Sequence, residues 1–326
     1  MTKISLATYT IKVKEKNKLI SSDDENNSSE EDNYLKLDNI TYSTLFSQGN
    51  LSVLELLDNI FNNKPAGFAK NQRAITINEY DIDNDERTIY GTFYYGTYGS
   101  EQPVLDIDTE DFEESETVHI GKKDCPVIPY YFLIKLPLGR YEGLIIFEKK
   151  GIYGIKTTFE EWLKNYLIEN NIRIEFDIDP YTPEDAIKEY AENGKIREIR
   201  YLSYALPNEE MELLRGYEPK EGYYEMRFVF PNRAEKLREV PSKLKSLLMG
   251  DKDVEIHDKM LGGLDPDDIK INVVLDGSPR TFTISNPTKA APYRDISMEI
   301  IKGDDGHPDF TSIHKIAMEY ANEIFK

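Results

Sequence analysis

The sequence predicts an α+β fold of two lobes, in which helices pack on mostly antiparallel sheets. The first observation is the stretch 126–167, whose apolar runs and turn residues predict two strands joined by a tight turn and followed by a helix. The second is the apolar stripe of residues 313–325, which predicts a C-terminal helix docked on a sheet. The third is the turn Asp276-Gly277 between two strand-like runs, a strong hairpin signal.

The N-terminal part is predicted to alternate strands with one helix. Residues 88–98 are rich in Tyr and Thr, and Gly91 and Gly96 within them indicate bulges or points of close backbone approach. Ser52 precedes a run of apolar residues at helical spacing. The predicted elements are strands at 5–13, 74–80 and 88–98 and a helix over 53–61.

The central hairpin is predicted to turn near residues 138–141, where a glycine suits a short loop. Folding the two strands about residues 139–140 places Glu148 opposite Tyr131. Thr158, with Glu161 three residues later, predicts a capping box at the start of the next helix. The apolar face of that helix is predicted to hold Phe159, Trp162, Leu163, Tyr166 and Leu167.

The second half is predicted to continue with short strands and helices. A helix begins at Thr182-Pro183 and ends before Gly194. The other predicted elements are strands at 195–206, 223–230, 253–257, 269–275, 279–284 and 294–301, and a helical segment 233–248 interrupted by Pro241. The Pro- and Glu-rich stretch 207–224 is the expected boundary. We therefore expect an N-terminal domain over 1–206, which contains the hairpin and following helices, and a C-terminal domain over 223–326, which contains a basic helix.

Composition limits the class of protein. The chain carries 40 basic and 60 acidic residues, a net charge of −20, which raises a long-range barrier against polyanions without preventing local phosphate contacts. The single cysteine, Cys125, excludes an intrachain disulfide and suits a reducing compartment. The N-terminal residues lack the pattern of a signal peptide, and no stretch reaches the length of a membrane span. We expect a cytoplasmic protein that does not insert into a membrane.

Carboxylates near two predicted strand ends are possible metal ligands. Glu148 and Lys150 at the end of a strand, with Asp124 upstream, resemble a metal-nuclease motif, but the hairpin would hold the two carboxylates roughly 20 Å apart. A solvated strand end is the favoured interpretation. Asp177 and Asp179 share one strand face and are typical of a strand end before proline. The sequence therefore indicates no catalytic residue, no metal site and no cofactor.

Two basic clusters are the candidate nucleic-acid-binding sites. The first lies in the segment GKIREIRY. The second lies in residues 232–252, which contain six basic and three acidic residues in a chain that is otherwise acidic. Basic side chains on one face can hold a phosphate backbone. The candidate residues are Lys195, Arg197, Arg200, Arg233, Lys236, Arg238, Lys243 and Lys245.

The order of elements resembles that of RexA of phage lambda and related phage-exclusion and anti-phage defence proteins. The resemblance rests on ATYTIKV near the N-terminus, on PYYFLIKL followed by GLIIFEKKGIYGIKTTFEEWL, and on FVFPNRAEKLREVPSKLKSLL followed by DIKINVVLDG. It implies a homodimeric, DNA-binding sensor or regulator that acts with a partner effector protein. The acidic balance departs from that of a typical DNA-binding protein.

Two other classes of function stay open at this point. One is a divalent-metal-dependent nuclease or phosphodiesterase that uses scattered carboxylates. The other is a protein–protein scaffold whose interface is the Tyr-rich strand at 88–98, because Tyr is a favoured anchor at interfaces.

Overall fold

The computed structural model describes most of the chain and has the α+β architecture, with mostly antiparallel sheets, that the sequence predicts. The described residues are 3–16, 34–43, 48–63, 67–69, 72–104, 118–203, 224–230, 238–240, 242–250, 268–275, 278–290 and 293–325. The strand predicted at 253–257 and residues 207–223 of the expected boundary stretch fall outside this part.

The chain forms two units, 1–179 together with 293–326, and 180–292. The first unit is therefore discontinuous: the chain leaves it near residue 180 and returns to it at Tyr293. This division differs from the expected one into 1–206 and 223–326.

Among its described residues, the first unit has a nine-stranded sheet and three helices. Its strands are β1 (Ile4–Glu15), β4 (Gly67–Ala69), β5 (Arg73–Asp83), β6 (Thr88–Thr97), β9 (Val127–Lys135), β10 (Glu142–Lys150), β11 (Tyr153–Gly154), β12 (Ile174–Pro180) and β18 (Tyr293–Asp295). Two small hairpins pair β2 (Ile40–Ser43) with β3 (Gln48–Leu51), and β7 (Gln102–Val104) with β8 (Val118–Ile120). The helices are α1 (Val53–Asn62), α2 (Lys156–Glu169) and, near the C-terminus, α5 (Phe310–Ile324).

The order of the main strands is β12-β1-β10-β9-β6-β5-β4. The predicted hairpin is β9 and β10, and its register pairs Phe147 with Phe132 and Ile146 with Leu133, as folding about 139–140 requires. The Tyr-rich strand β6 is central, because β5 pairs along one edge and β9 along the other. Both edges of this strand are therefore occupied within the chain, and a scaffold interface on it would have to use a face of the sheet.

Helices α1 and α2 cover one face of this sheet and enclose the main core. Phe61 of α1 and Phe93 of β6 meet the rings of Phe132 and Trp162, with ring centroids 4.4–5.9 Å apart. Burial of such aromatic side chains dominates core energetics. Helix α5 lies against β9 and β10, as the amphipathic stripe predicts.

The glycines of β6 are points of close approach, as predicted. A Cβ on Gly91 would lie 2.1 Å from the carbonyl oxygen of Glu79, and β5 carries a bulge between Ile77 and Glu79 at this place. A Cβ on Gly96 would lie 2.1 Å from the carbonyl oxygen of Pro126. Neither position has room for a side chain without a backbone shift.

The second unit holds a smaller sheet with helices on one face. Its described strands are β13 (Lys195–Ser203), β14 (Tyr224–Val229), β15 (Arg238–Glu239), β16 (Asp268–Leu275) and β17 (Ser278–Thr283), and its described helices are α3 (Glu184–Asn193) and α4 (Ser242–Leu248). The strand order is β14-β13-β16-β17, and β15 pairs with β13. Ile187 and Tyr190 of α3 and Leu248 of α4 pack on Ile271 and Val273 of β16 in one buried cluster.

Three predicted elements differ from the structure. Helix α2 begins at Lys156, and Thr158 is a buried residue inside it, not its cap. The segment 233–248 is not one interrupted helix, because Arg238–Glu239 form a strand paired with β13 and only Ser242–Leu248 are helical among its described residues. The strand predicted at 294–301 ends at Asp295, where Ser297 closes a turn on the Asp295 carboxylate.

Candidate nucleic-acid interface

The structure distributes the predicted basic residues over three elements. Lys195, Arg197 and Arg200 lie on β13, Arg238 lies on β15, and Lys243 and Lys245 lie on α4. Arg233 and Lys236 lie outside the described residues. The described members of the predicted basic helix therefore do not share one helix face, because Arg238 belongs to a strand and Lys243 and Lys245 belong to a separate short helix.

Lys195 and Arg200 of the first cluster lie on the opposite side of the second unit's sheet from the helix that carries Lys243 and Lys245. Helix α4 packs with α3 on the side of the buried cluster, and the amine of Lys245 donates a hydrogen bond to the Glu192 carbonyl at 3.3 Å. Ile196 and Ile199 of β13 point to the same side. Lys195 and Arg200 pair with Val274 and Lys270 of β16, which alternate with the buried residues of that strand.

A bulge in β13 changes the alternation near its start. The register shifts between Ile196 and Glu198, so that Arg197 is the extra residue, and its side chain is exposed. The carbonyl of Arg197 accepts a hydrogen bond from the Phe230 amide at 2.9 Å. The bulge lets the strand present Lys195 on the face away from the helices while Ile196 and Ile199 are both buried.

Three cations form a line across adjacent strands on this face. Arg200 of β13 pairs with Arg227 of β14 on one side and with Lys270 of β16 on the other. Facing side chains on neighbouring strands have Cβ atoms about 4.5–5.5 Å apart. We call Arg227, Arg200 and Lys270 the basic row. The side chains of Arg200 and Arg227 are 35% and 53% exposed, so both can reach solvent.

Glu198 holds the two arginines of the basic row in place. Its side chain is 7% exposed and its carboxylate accepts hydrogen bonds from both Arg200 and Arg227, while Arg200 Nε also lies 3.7 Å from Glu225 Oε1. Burial acts to raise the pKa of Glu198, but the bonds from Arg227 and Arg200 together outweigh it and hold that pKa below its ordinary value. Glu198 is therefore an anion that orients two guanidinium groups.

Sequence reasoning missed Arg227 and Lys270. Both lie at alternating positions of strands that the sequence does predict, but isolated cations on a strand carry no special signal. Only the pairing of three strands, which come from distant parts of the chain, places them beside Arg200. Basic residues occur on most of the predicted strands, so strand prediction alone does not distinguish these two from the others.

The carboxylates discussed from the sequence have other roles. Asp177 Oδ2 accepts hydrogen bonds from Lys14 Nζ at 2.9 Å and from the Tyr34 hydroxyl at 2.8 Å. Asp124 closes a turn by accepting from the Gly121 amide at 2.8 Å. Within the described ranges, no group of three or more His, Cys, Asp or Glu residues is placed to hold a metal ion.

Comparison with known proteins leaves the family open. No protein-family model matches the chain, and no curated protein matches it. Among the residues that the structure describes, no helix is both long enough and apolar enough to cross a membrane.

Proposed function

We propose that this protein is a non-enzymatic regulator of anti-phage defence that binds DNA through the basic row and its neighbours on β13. The resemblance of its element order to phage-exclusion proteins supports the defence role, the homodimeric state, the cytoplasmic location and the action with a partner effector. The basic row supports the binding of phosphates. It is the single observation on which the DNA-binding part depends.

The basic row carries a cost that a binding role explains. Like charges that face each other across strands destabilise a sheet. Arg200 stands between Arg227 and Lys270, and only the two arginines receive compensation from Glu198. Guanidinium groups that are already oriented lose less rotamer entropy when they bind a phosphate in a bidentate manner.

Local charge on this face opposes that of the whole chain. Lys195, Arg197 and the basic row give five cations, against three carboxylates, those of Glu198, Glu225 and Asp268. The face is thus net positive in a chain of net charge −20. Because the rest of the chain repels DNA, we expect weak binding that decreases steeply with salt.

The test compares two variants that each remove three positive charges. The first is Lys195→Gln/Arg227→Gln/Lys270→Gln, which leaves Arg200 to pair with Glu198. The control is Lys188→Gln/Lys243→Gln/Lys245→Gln, which changes α3 and α4 on the opposite side of the sheet. Fluorescence anisotropy with a labelled duplex DNA, measured at several salt concentrations, gives the affinity and its salt slope.

We expect the first variant to lose at least tenfold in affinity and the control to keep the affinity of the parent. Each neutralised phosphate contributes about −0.9 to the slope of log K against log salt, so the slope should become shallower by about 2 to 3 in the first variant. Equal affinities for all three proteins would show that the basic row is only a solvated ion-pair network. A loss in the control alone would assign the interface to the helical side.

A further inference from the structure

A second site lies in the first unit, on the face of the large sheet that α5 covers. A cavity of about 750 Å³ opens there between strands β5, β6, β9 and β10 and the residues just before and at the start of α5. Pockets for small molecules have volumes of about 300–1,000 Å³. This cavity is separate from the proposed DNA-binding surface, because the residues of that surface all belong to the second unit.

Glu148 lies in the wall of the cavity and is deeply buried. Its side chain is only 3% exposed, which corrects the interpretation of this residue as part of a solvated strand end. The amide of Tyr131 donates a hydrogen bond to Oε2 at 2.9 Å. The other oxygen, Oε1, accepts no hydrogen bond within the described part of the chain and has a long ionic contact, 3.4 Å, with Lys150 Nζ.

Lys150 is only partly available to neutralise Glu148. Its amine donates a hydrogen bond to the Pro129 carbonyl at 2.8 Å and lies 3.2 Å from Nδ1 of His307. It also lies 5.0 Å from the centre of the Tyr130 ring. These contacts hold the amine to one side, so the Oε1 atom of Glu148 keeps unused capacity to accept a hydrogen bond.

The rim of the cavity is acidic. Glu79, Asp304 and Asp305 line it and are exposed, and Asp309 lines it while capping α5 through the Ser312 amide. With Glu148, these residues give five carboxylates. Such a concentration of negative charge disfavours phosphates and carboxylates as ligands and attracts cations.

Three aromatic side chains also line the cavity. Tyr94, Tyr131 and Phe310 line the same cavity, and the rings of Tyr131 and Phe310 meet edge to face with centroids 5.8 Å apart. Aromatic faces attract ammonium and guanidinium groups, and more strongly when the site excludes water. A carboxylate with a free lone pair, an acidic rim and aromatic side chains together form the surroundings that suit an organic cation.

We propose that this cavity is a binding site for a small organic cation that carries amino or guanidino groups. One charged group of the ligand lies against Glu148 and donates a hydrogen bond to Oε1 once a small shift of that side chain exposes this buried atom, and the rest lies between the aromatic side chains and the acidic rim. A ligand of this class would give the regulator a signal that it reads separately from DNA.

Isothermal titration with putrescine tests the proposal, and 1,4-butanediol serves as the uncharged probe of matched length. Because a protein of net charge −20 attracts any cation, the variants must separate the site from the general field. The site variant is Glu79→Gln/Asp304→Asn/Asp305→Asn. The matched control, Glu184→Gln/Asp185→Asn/Glu189→Gln, removes three carboxylates from α3. Both sets of residues are exposed, and the amides keep an acceptor oxygen.

We expect one putrescine per chain for the parent and the α3 control, at least tenfold weaker binding to the site variant, and no binding of 1,4-butanediol. Glu148→Gln/Lys150→Met, which removes the buried pair as a whole, should also lose putrescine while retaining cooperative unfolding. The proposal is overturned if the parent binds no putrescine, or if the site variant and the α3 control bind it equally.

Discussion

The hydroxyl of Tyr131 lies 2.8 Å from Nδ1 of His314, a hydrogen bond between residues 183 positions apart that fastens α5 to the middle of the large sheet. Tyr131 is 1% exposed, and the ring of His314 contacts that of Tyr90 in a tilted arrangement, with ring centroids 4.0 Å apart. A buried tyrosine hydroxyl needs a partner. This bond therefore helps to hold in place the helix whose first turn borders the acidic cavity.

Replacement of His314 should give a pH-dependent loss of stability. Burial lowers the pKa of His314, with partial opposition from Asp81, so protons bind more tightly to the unfolded chain. The stability from neutral His314 is present above about pH 6.5 and is lost as the pH falls below the unfolded value. Urea unfolding of His314→Gln should show a larger deficit from the parent at pH 8 than at pH 5.5. His119→Gln, at an exposed position, is the control. A loss of stability in His314→Gln that does not change with pH would contradict the prediction.

The buried pair of Glu148 and Lys150 should show strong coupling in a double-mutant cycle. Glu148→Gln removes the carboxylate that pairs with Lys150, whose side chain is only 12% exposed. Removing one partner of a buried ion pair lowers the free energy of unfolding by about 3–5 kcal/mol. Adding Lys150→Met should recover much of that loss, because apolar replacement of a whole buried pair is often nearly neutral. Urea unfolding of the two single variants and the double variant measures the coupling.

The partly exposed pair Lys156 and Glu160 supplies the comparison for that cycle. Its atoms are 2.7 Å apart, with side chains 27% and 31% exposed. Pairs of this kind on a helix contribute only about 0.3–0.5 kcal/mol. Equal coupling energies for the two pairs would show that burial does not govern the first.

Gly91→Ala should be severely destabilising, in contrast to Gly154→Ala. A Cβ at Gly91 would lie 2.1 Å from the Glu79 carbonyl oxygen and 2.6 Å from Tyr80 Cα, whereas the nearest atom at Gly154 is 3.8 Å away. The first substitution must move backbone in the middle of the sheet, and we expect a loss of more than about 2 kcal/mol. The second should stay within about 1 kcal/mol of the parent. Thermal unfolding measures both, and similar melting temperatures would count against the observed packing.

Ser52→Ala should remove a helix cap. The amide of Glu55 donates to the Ser52 hydroxyl at 3.2 Å, and the Ser52 amide donates to the Glu55 carboxylate at 2.7 Å. Loss of such a cap costs about 1 kcal/mol, while asparagine is an equally good cap. Urea unfolding should therefore show a loss for Ser52→Ala and little change for Ser52→Asn. If both variants lose the same stability, the hydroxyl acts through something other than capping.

Local patterns predicted much of the fold because their physical causes are local. The central hairpin, the helix after Ser52 and the C-terminal helix each follow from hydrophobic spacing within one segment. The hairpin register also follows, since a short turn leaves few ways to pair the two strands. The sequence therefore predicts that Glu148 lies opposite Tyr131 in the hairpin, and the Tyr131 amide does donate a hydrogen bond to the Glu148 carboxylate.

Predictions failed where a tertiary contact competed with a local signal. Thr158 has the sequence of a cap, but Ile155 is fully buried at the true N-cap and the Lys156–Glu160 pair links the first turn of the helix to the second, so the helix starts earlier. Arg238 lies in a segment with helical spacing, yet pairing with Ile196 of β13 makes it a strand. A free strand edge offers hydrogen bonds that override a weak helix preference.

The sequence by itself determined the fold class and most of the elements, because hydrophobic periodicity and turn residues act over a few positions. Only the tertiary structure decided what the charged residues near Glu148 and Arg200 do. Glu148 is buried because residues 303–313, more than 150 positions later, cover its face of the sheet. Arg200 belongs to a row of cations because β14 and β16 pair beside β13 in one register. Burial and charge are properties of neighbours in space, and those neighbours come from distant parts of the chain.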